Sequence, residues 1–434
     1  MSTPIPKTLG ALGLLTLALP ANLAVTGVAL VRSQLLPTPV TPVARPRTIL
    51  VTGGKMTKAL HLARCFHGAG HRVVLAEAAK YRLTGHRFSW AVDAFHAVPI
   101  PGSPGYAEAI ADIVEAEGID LWVPVSSPAS SVPEAEVAAQ LGLPVVHGDP
   151  ELVRRLDDKE ALVRMAEEAG LPVPAAHRIT DPAQVAPLVT GSTRRYILKS
   201  IAYDPVHRLD LTPLPRPTPE ETEAFAWSKP ISPESPWVLQ ELLQGVEHCT
   251  HATAQEGRVQ LHICCESSAF QVNYAHLDHP AIEEWVRRFV AHHNVSGQIS
   301  FDLIVGDDGG VRPIECNPRT HSAITVFDAS QYEAVSRAYL DPDVDTVVPA
   351  STARPTYWLY QELWRMLSEP RSIPERLGVI AGGRDAIFAW EDPLPFLLVH
   401  HLQIPSLLLA SLVQGNDWVR IDFNIGKLIE PGGD

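Results

Sequence analysis

The sequence predicts an α/β protein made of two successive units, a parallel strand–helix unit and then an α+β unit that ends in an acidic hairpin. Three observations point there. From Thr48 onward, strand-like apolar runs alternate with helix-period segments. A further helix opens at Leu156-Asp157-Asp158-Lys159 and is followed by the strand-like runs RRYILKS and WVLQELL. Residues 299–317, ISFDLIVGDDGGVRPIECN, read as two strands around the turn residues Asp307, Asp308, Gly309 and Gly310.

The first element is apolar. Residues 9–31 carry no charge and are about long enough to cross a bilayer, with Lys7 before them and Arg32, Arg45 and Arg47 after. This asymmetry leaves the remainder of the chain in the cytoplasm, anchored to the inner face of the plasma membrane through residues 9–31. Pro20, Asn22, Thr16 and Thr26 weaken such a span, so a hydrophobic segment packed elsewhere is the rival expectation, and a secretory signal is a third. Residues 36–47 hold Pro37, Pro39, Pro42 and Pro46 and read as an extended linker, so residues 1–47 precede the folded part.

Residues 48–150 form the parallel unit. TILVTGG, HRVVLAEA and DLWVPVS read as strands, and residues 58–69 and 106–116 as helices. The turn Gly53-Gly54-Lys55 resembles a dinucleotide glycine turn but lacks its third glycine, so it is a weak nicotinamide signal, and a tight strand-to-helix turn is the simpler explanation. The second unit spans residues 151–335. Its helix, residues 159–169, stops at Gly170 before Pro172 and Pro174, and WVLQELLQGVEHCTH reads as one apolar strand running into a polar turn. Residues 336–434 are a C-terminal extension with Trp358, Trp364 and Trp390. Its apolar stretch, residues 395–413, is interrupted by His400, His401, Gln403 and Pro405, so it is expected to pack on the core or rest on a membrane.

The hairpin carries the chemistry. A four-residue loop sets Asp302 opposite Glu315, and strand alternation puts Asp302, Glu315 and Asn317 on one face and Ile299, Phe301, Leu303, Val305, Ile314 and Cys316 on the other. Facing carboxylates repel unless a cation lies between them, and magnesium favours such oxygen ligands together with substrate phosphates. Lys159 and Lys199, on separate elements, can meet phosphates as point charges. Backbone groups of Glu241 and Leu243 can meet an adenine edge, and Glu247 can accept from ribose hydroxyls.

In this order of parts the sequence resembles the ATP-grasp ligases over roughly residues 48–328. The resemblance implies an ATP-grasp fold, with a Rossmann-like pre-ATP-grasp domain and two α+β lobes around the nucleotide. It implies that Lys159 and Lys199 contact ATP phosphates, Gln240, Glu241 and Leu243 contact adenine, and Glu247 binds ribose. It also implies that Asp302, Glu315 and Asn317 hold Mg2+, with Arg319 of ECNPR near the transferred phosphate. The usual glycine-rich flap is missing after Lys199, where SIAYDPVHRLDLTPLPRP offers His207 and Arg208 in its place. A closer resemblance, to the mycosporine-glycine synthases, lies in VTGGKMTKALHLARCFHGAGHRVVLAE, KYRLTGHRFSWAVD, VPVSSPASS, YILKSIAYDPVHRLDL, ECNPRTHSAI and WVRIDFNIGKLIE.

That resemblance implies phosphorylation of the enolate oxygen of 4-deoxygadusol, displacement by glycine, and release of mycosporine-glycine, ADP and phosphate. The glycine carboxylate needs a cation, for which Arg319, Lys80, Arg82 and Arg87 are candidates. A ligase joining an amino acid to another carboxylate is the first alternative, and a non-catalytic ATP-binding regulator the second. The bulk composition fits small-molecule chemistry. With 434 residues, 46% hydrophobic and 19% charged, the chain can build two or three cores. A net charge of −14 argues against a nucleic-acid partner. Five cysteines without CxxC spacing argue against a disulfide framework or a zinc site.

Overall fold

A computed structural model describes residues 5–36, 43–125, 127–201, 206–207, 210–267 and 273–431. An N-terminal helix, α1 (Ile5–Leu35), precedes the first sheet. Strands β1 (Thr48–Thr52), β2 (Arg72–Ala78), β3 (Ala94–Val98) and β4 (Leu121–Pro124) pair in parallel in the order β3-β2-β1-β4. The inner strands β1 and β2 are covered on both faces, which is why ILV and VVLA are unbroken apolar runs. Helix α2 (Thr57–Gly68) links β1 to β2, α3 (Tyr106–Glu117) links β3 to β4, and α4 (Ser131–Leu141) follows. Strand β3 goes beyond the sequence expectation, because AFHAV lies at a sheet edge and is mostly half-buried or exposed.

Helices α5 (Pro150–Asp157) and α6 (Lys159–Glu168) open the next part. Strands β5 (Ala176–Ile179), β6 (Tyr196–Ser200) and β7 (Trp237–Glu241) make an antiparallel sheet in the order β5-β7-β6, against helices α7 (Val185–Val189) and α8 (Pro219–Trp227). A second antiparallel sheet, β11-β10-β8-β9, contains β8 (Val246–Gln255), β9 (Arg258–Glu266), β10 (Gly297–Val305) and β11 (Val311–Asn317). The stretch expected to be one strand and a polar turn is therefore two strands in two sheets. VEHCTHATAQ is mostly buried despite its His and Thr residues, so its polarity misleads a reading by hydropathy. The crossing needs Gly245, whose φ is +146° and where a Cβ would fall 2.1 Å from the Val305 carbonyl oxygen.

One face of this second sheet packs Ile299, Phe301, Leu303 and Cys316 against α5, α6 and helix α9 (Pro280–His292). Its other face carries Cys249, Leu261, Ile263 and Cys265 into a core shared with the parallel sheet and the C-terminal region. The hairpin register corrects one expectation. Ser300 pairs with Asn317, Phe301 with Cys316 and Asp302 with Glu315, but the ladder then slips and Leu303 pairs with Pro313. The loop is accordingly residues 306–310, five instead of four, and Ile314 is left half-buried outside that core while Pro313 is buried. Proline has no N–H for the ladder, and bulges are where sheets accommodate it.

Helix α1 buries a stripe of Thr8, Leu15, Asn22, Thr26 and Ala29. Lys7 Nζ donates to the Trp418 and Val419 carbonyls, Trp418 Nε1 donates to Thr8 Oγ1 at 3.0 Å, and Asn22 Nδ2 donates to the Tyr360 hydroxyl at 3.3 Å. Of the residues that weaken α1 as a bilayer span, Asn22 is thus a contact to the C-terminal region and Thr26 donates to Asn22 Oδ1 at 3.3 Å, whereas Thr16 and Pro20 are exposed. Among the described residues, two helical stretches are long and apolar enough to cross a membrane, Ile5–Leu35 and Leu394–Gln414, and they lie against each other. Phe396, Val399, Ile404 and Leu408 of the second join the main core.

Candidate functional site

Strand alternation decides which way the β6–β7 side chains face. Tyr196, Leu198, Trp237 and Leu239 fill the core of their own lobe, so Lys199, paired opposite Val238, and Gln240, paired opposite Ile197, face the other way. Helix α6 starts where it does because the Asp158 carboxylate accepts the Glu160 and Ala161 N–H groups at 2.9 Å each, which makes Lys159 the first helical residue. From there Lys159 Nζ reaches Glu315 Oε1 at 3.6 Å. Asp302 lies directly across from Glu315, and Asn317 Nδ2 stands 3.5 Å from Asp302 Oδ2. Arg319 donates to Asn317 Oδ1 at 2.5 Å, while its second terminal nitrogen is buried without a partner.

The charges in this cluster are strongly interdependent. Burial, then Glu315 and Glu247, push the Asp302 carboxyl up to about 8. Burial also acts to raise Glu315, but Lys159, Lys199 and Arg319 outweigh it and hold that carboxyl below its ordinary range. Lys199 is lowered by burial and by Lys159, against the pull of Glu315, Glu247 and Asp302. Asp157, at the end of α5, is raised by burial against the influence of Arg319 and Lys159, and no local sequence pattern marks it as part of this cluster. A carboxyl that stays protonated to such a pH beside another carboxylate marks a place where a hard cation relieves repulsion, so the residues fit magnesium. Among the described residues, no three His, Cys, Asp or Glu side chains gather on one point. A third protein ligand would therefore be the Asn317 amide oxygen, which here accepts from Arg319.

The residues expected to meet adenine and ribose are placed less uniformly. Glu241 uses its N–H on the Ala175 carbonyl at 2.7 Å and its carboxylate on the Ala175 N–H at 3.0 Å, with Arg194 at 3.4 Å. Its side chain therefore ties β7 to the segment before β5. Leu242 N–H donates to the Arg195 carbonyl at 2.8 Å, whereas Leu243 N–H meets no backbone acceptor among the described residues. The Gln240 amide is 1% exposed with both its oxygen and its nitrogen unpartnered. Glu247 accepts from the Ser267 hydroxyl at 3.1 Å and is within electrostatic reach of Lys199 and Asp302. His207 lies 5.5 Å edge-on from Trp237, on the face opposite Lys199, so it is not positioned over phosphates beside that lysine. Arg208 falls outside the described residues.

The glycine turn is closed as a dinucleotide site. Lys55 N–H donates to Glu77 Oε2 and Thr57 N–H to the Asn424 carbonyl, both at 2.9 Å, so the amides a pyrophosphate would use are taken. Lys58, buried in the same region, donates to the Thr320 carbonyl at 2.5 Å and is near Arg319. Of the cations considered for a carboxylate, Arg82 is exposed, and Arg87 lies 4.3 Å over Phe95 and donates to the Arg82 carbonyl. Lys80 stays near the glycine turn. The burial of Lys55, Lys58 and Lys427 is not legible in the sequence, since a lone lysine most often lies on the surface.

No protein-family model matches the chain, and no match is found among curated protein sequences. Solved structures do match. An N5-carboxyaminoimidazole synthetase from Staphylococcus aureus complexed with ADP aligns with a TM-score of 0.55 at 12% identity, over 73% of this chain and 82% of that one. The biotin carboxylase domain of 2-oxoglutarate carboxylase from Hydrogenobacter thermophilus, in complex with MgADP, ADP and bicarbonate, aligns at 0.53 and 13%, over 70% and 72%. An L-amino acid ligase from Bacillus licheniformis aligns at 0.52 and 14%, over 69% and 75%. The chain has the ATP-grasp fold.

Proposed function

We propose that this ATP-grasp chain is an ATP-dependent carbon–nitrogen ligase that phosphorylates the enolate oxygen of 4-deoxygadusol and joins it to glycine, giving mycosporine-glycine, ADP and phosphate. One observation carries the ligase reading: Lys159 paired with Glu315 at 3.6 Å, Asp302 directly opposite, and Lys199 and Arg319 within reach of both. A protein that only bound nucleotide would not need both carboxylates and all three cations together. The solved neighbours crystallised with ADP or MgADP support the same nucleotide and metal here. The acceptor and glycine rest on the sequence segments that resemble the mycosporine-glycine synthases.

In this reading Lys159 and Lys199 hold the triphosphate, the Glu241 carbonyl and Leu243 N–H meet adenine beside Gln240, and Glu247 binds ribose. Magnesium held by Asp302, Glu315 and Asn317 supplies charge neutralisation on the phosphates. Arg319 places its buried, unpartnered nitrogen to stabilise charge on the transferring group. The bond from the terminal phosphorus to ADP breaks as the acceptor oxygen bonds to phosphorus. The amine then attacks the activated carbon, phosphate leaves with the carbon–oxygen electrons, and the amine proton passes to solvent. The chain's contribution is position and charge.

A second reading, ligation of an amino acid to an ordinary carboxylate, is favoured by the likeness to the L-amino acid ligase. ADP release measured with 4-deoxygadusol, with and without glycine, and with a panel of carboxylates decides between them. Turnover with a carboxylate but none with 4-deoxygadusol plus glycine removes the first reading. The division into 48–150, 151–335 and 336–434 belongs to the same proposal, as does a cytoplasmic location with bilayer association through residues 9–31. The exposed Leu9, Leu14, Leu17, Leu23, Val28 and Val31 support that association. The polar stripe holding α1 to the protein favours lying on the bilayer surface over spanning it. Flotation with lipid vesicles, compared with a chain lacking residues 1–47, tests it.

A further inference from the structure

The carboxyl ends of β1 and β2 meet a C-terminal hairpin formed by Arg420–Asp422 and Lys427–Ile429. Ligands of parallel α/β sheets bind outside this end of the strands. The contact is extensive. The Asn424 carbonyl accepts Thr57 N–H at 2.9 Å, and Asn424 Oδ1 accepts the Ser322 hydroxyl at 3.0 Å. Gln403 donates to the Gly426 carbonyl at 2.7 Å and accepts from Gly85 N–H at 2.8 Å and the Thr84 hydroxyl at 3.1 Å. Gly426, at φ +62°, comes so close that a Cβ there would lie 2.5 Å from the Lys55 carbonyl oxygen. The hairpin turn thus fixes Lys427 next to the glycine turn.

Lys55 and Lys427 are each only 8% exposed. Lys55 Nζ lies 4.4 Å from the Tyr81 ring centre, and Lys80 Nζ lies 4.9 Å from the same ring. The acidic groups around them are Glu77, 3.6 Å from Lys55, together with Glu430 and Asp422. Asp422 is already engaged by the N–H groups of Asn424 and Ile425 and faces Arg420 at 3.8 Å. Lys58, in electrostatic reach of both Lys55 and Arg319, extends the positive region toward the hairpin site. Burial, then Lys55 and Lys80, bring Lys427 down to about 8. Lysines gathered this way repel, and a small anion among them relieves the repulsion.

We propose that Lys55 and Lys80, both beside Tyr81, together with Lys427 of the C-terminal hairpin, bind the carboxylate of the amino-acid substrate, so that the hairpin completes the active site. The site rests on the ligase reading only for which molecule brings the carboxylate.

The test is calorimetric titration of the full chain, with MgADP present, by glycine, by glycinamide and by the other proteinogenic amino acids, in wild type, K427M and K427R. A carboxylate held by a buried ammonium is expected to lose roughly 10-fold or more in affinity in K427M, while K427R keeps most of it. Glycinamide, without the carboxylate, is expected to bind poorly to all three. Equal binding of the amino acid to wild type and K427M overturns the proposal. So does equal binding of acid and amide to wild type, or binding of no amino acid at all. If K427M melts far below wild type, the exposed Lys80→Met takes its place, with about 3-fold weakening expected, and no weakening overturns the proposal. Loss of binding of an amino acid other than glycine in K427M supports this site while removing the mycosporine-glycine reading.

Discussion

The β10–β11 hairpin and the glycine turn after β1 are opposite solutions to the burial of charge. At the hairpin, carboxylates are crowded: Asp302 stands across from Glu315 with Glu247 nearby, and the Asp302 carboxyl is pushed up to about 8. At the glycine turn ammonium groups are crowded, and Lys427 is brought down to about 8. The acidic region suits a cation and the basic one suits an anion. Lys58 is within electrostatic reach of Lys55 in one region and of Arg319 in the other. The proposed ligase activity would account for this polarity, because a metal-bound triphosphate and an anionic substrate would have to approach each other without either site attracting the wrong ligand.

The largest expected effect breaks the acidic half. Asp302→Ala and Glu315→Ala should each lower magnesium-dependent ADP formation by about 10³-fold or more. The melting temperature should change little, since relief of carboxylate repulsion offsets lost contacts. Wild-type turnover in either variant would show that the hairpin does not hold the metal. Next comes Lys199→Ala, expected to raise the KM for ATP by roughly 10- to 100-fold while moving the acceptor KM by less than about 3-fold. Equal change in both would contradict its assignment to phosphate.

The smallest effect sharpens the comparison through pH. In the metal-free protein the folded Asp302 carboxyl titrates near 8, and the same group in the unfolded chain titrates near ~4. The folded state therefore holds the extra proton between these values, and the stability from this group is full below about pH 4 and lost as pH rises through 8. Thermal unfolding without magnesium should show this loss, Asp302→Asn should flatten it, and magnesium with nucleotide should restore stability at pH 8. A profile in Asp302→Asn as steep as wild type would assign the loss to another group.

Much of the hairpin was legible because its geometry is local. Alternation and a short loop are enough to set Asp302 across from Glu315, and the structure pairs them. The bulge at Pro313 was less visible, since it depends on how a strand accommodates a residue without an N–H. The end of β7 and start of β8 were merged because His248, Thr250 and His251 read as polar, although a sheet buried on both faces hides them. Lys199 was legible as a strand lysine, but its outlook from the lobe core depends on which face Trp237 and Leu239 occupy.

By itself the sequence determined the parallel α/β start, the N-capped entry of Lys159 into α6, and the acidic face of the hairpin, because each follows from periodicity or from contacts a few residues apart. Only the tertiary structure decided that α1 lies along the C-terminal helices, that the glycine turn is closed by Asn424, and that Lys427 comes within electrostatic reach of Lys55. Those meetings join the two ends of the chain. No local pattern encodes them, because they follow from how separate cores pack together, after which the positions of the charges are no longer free.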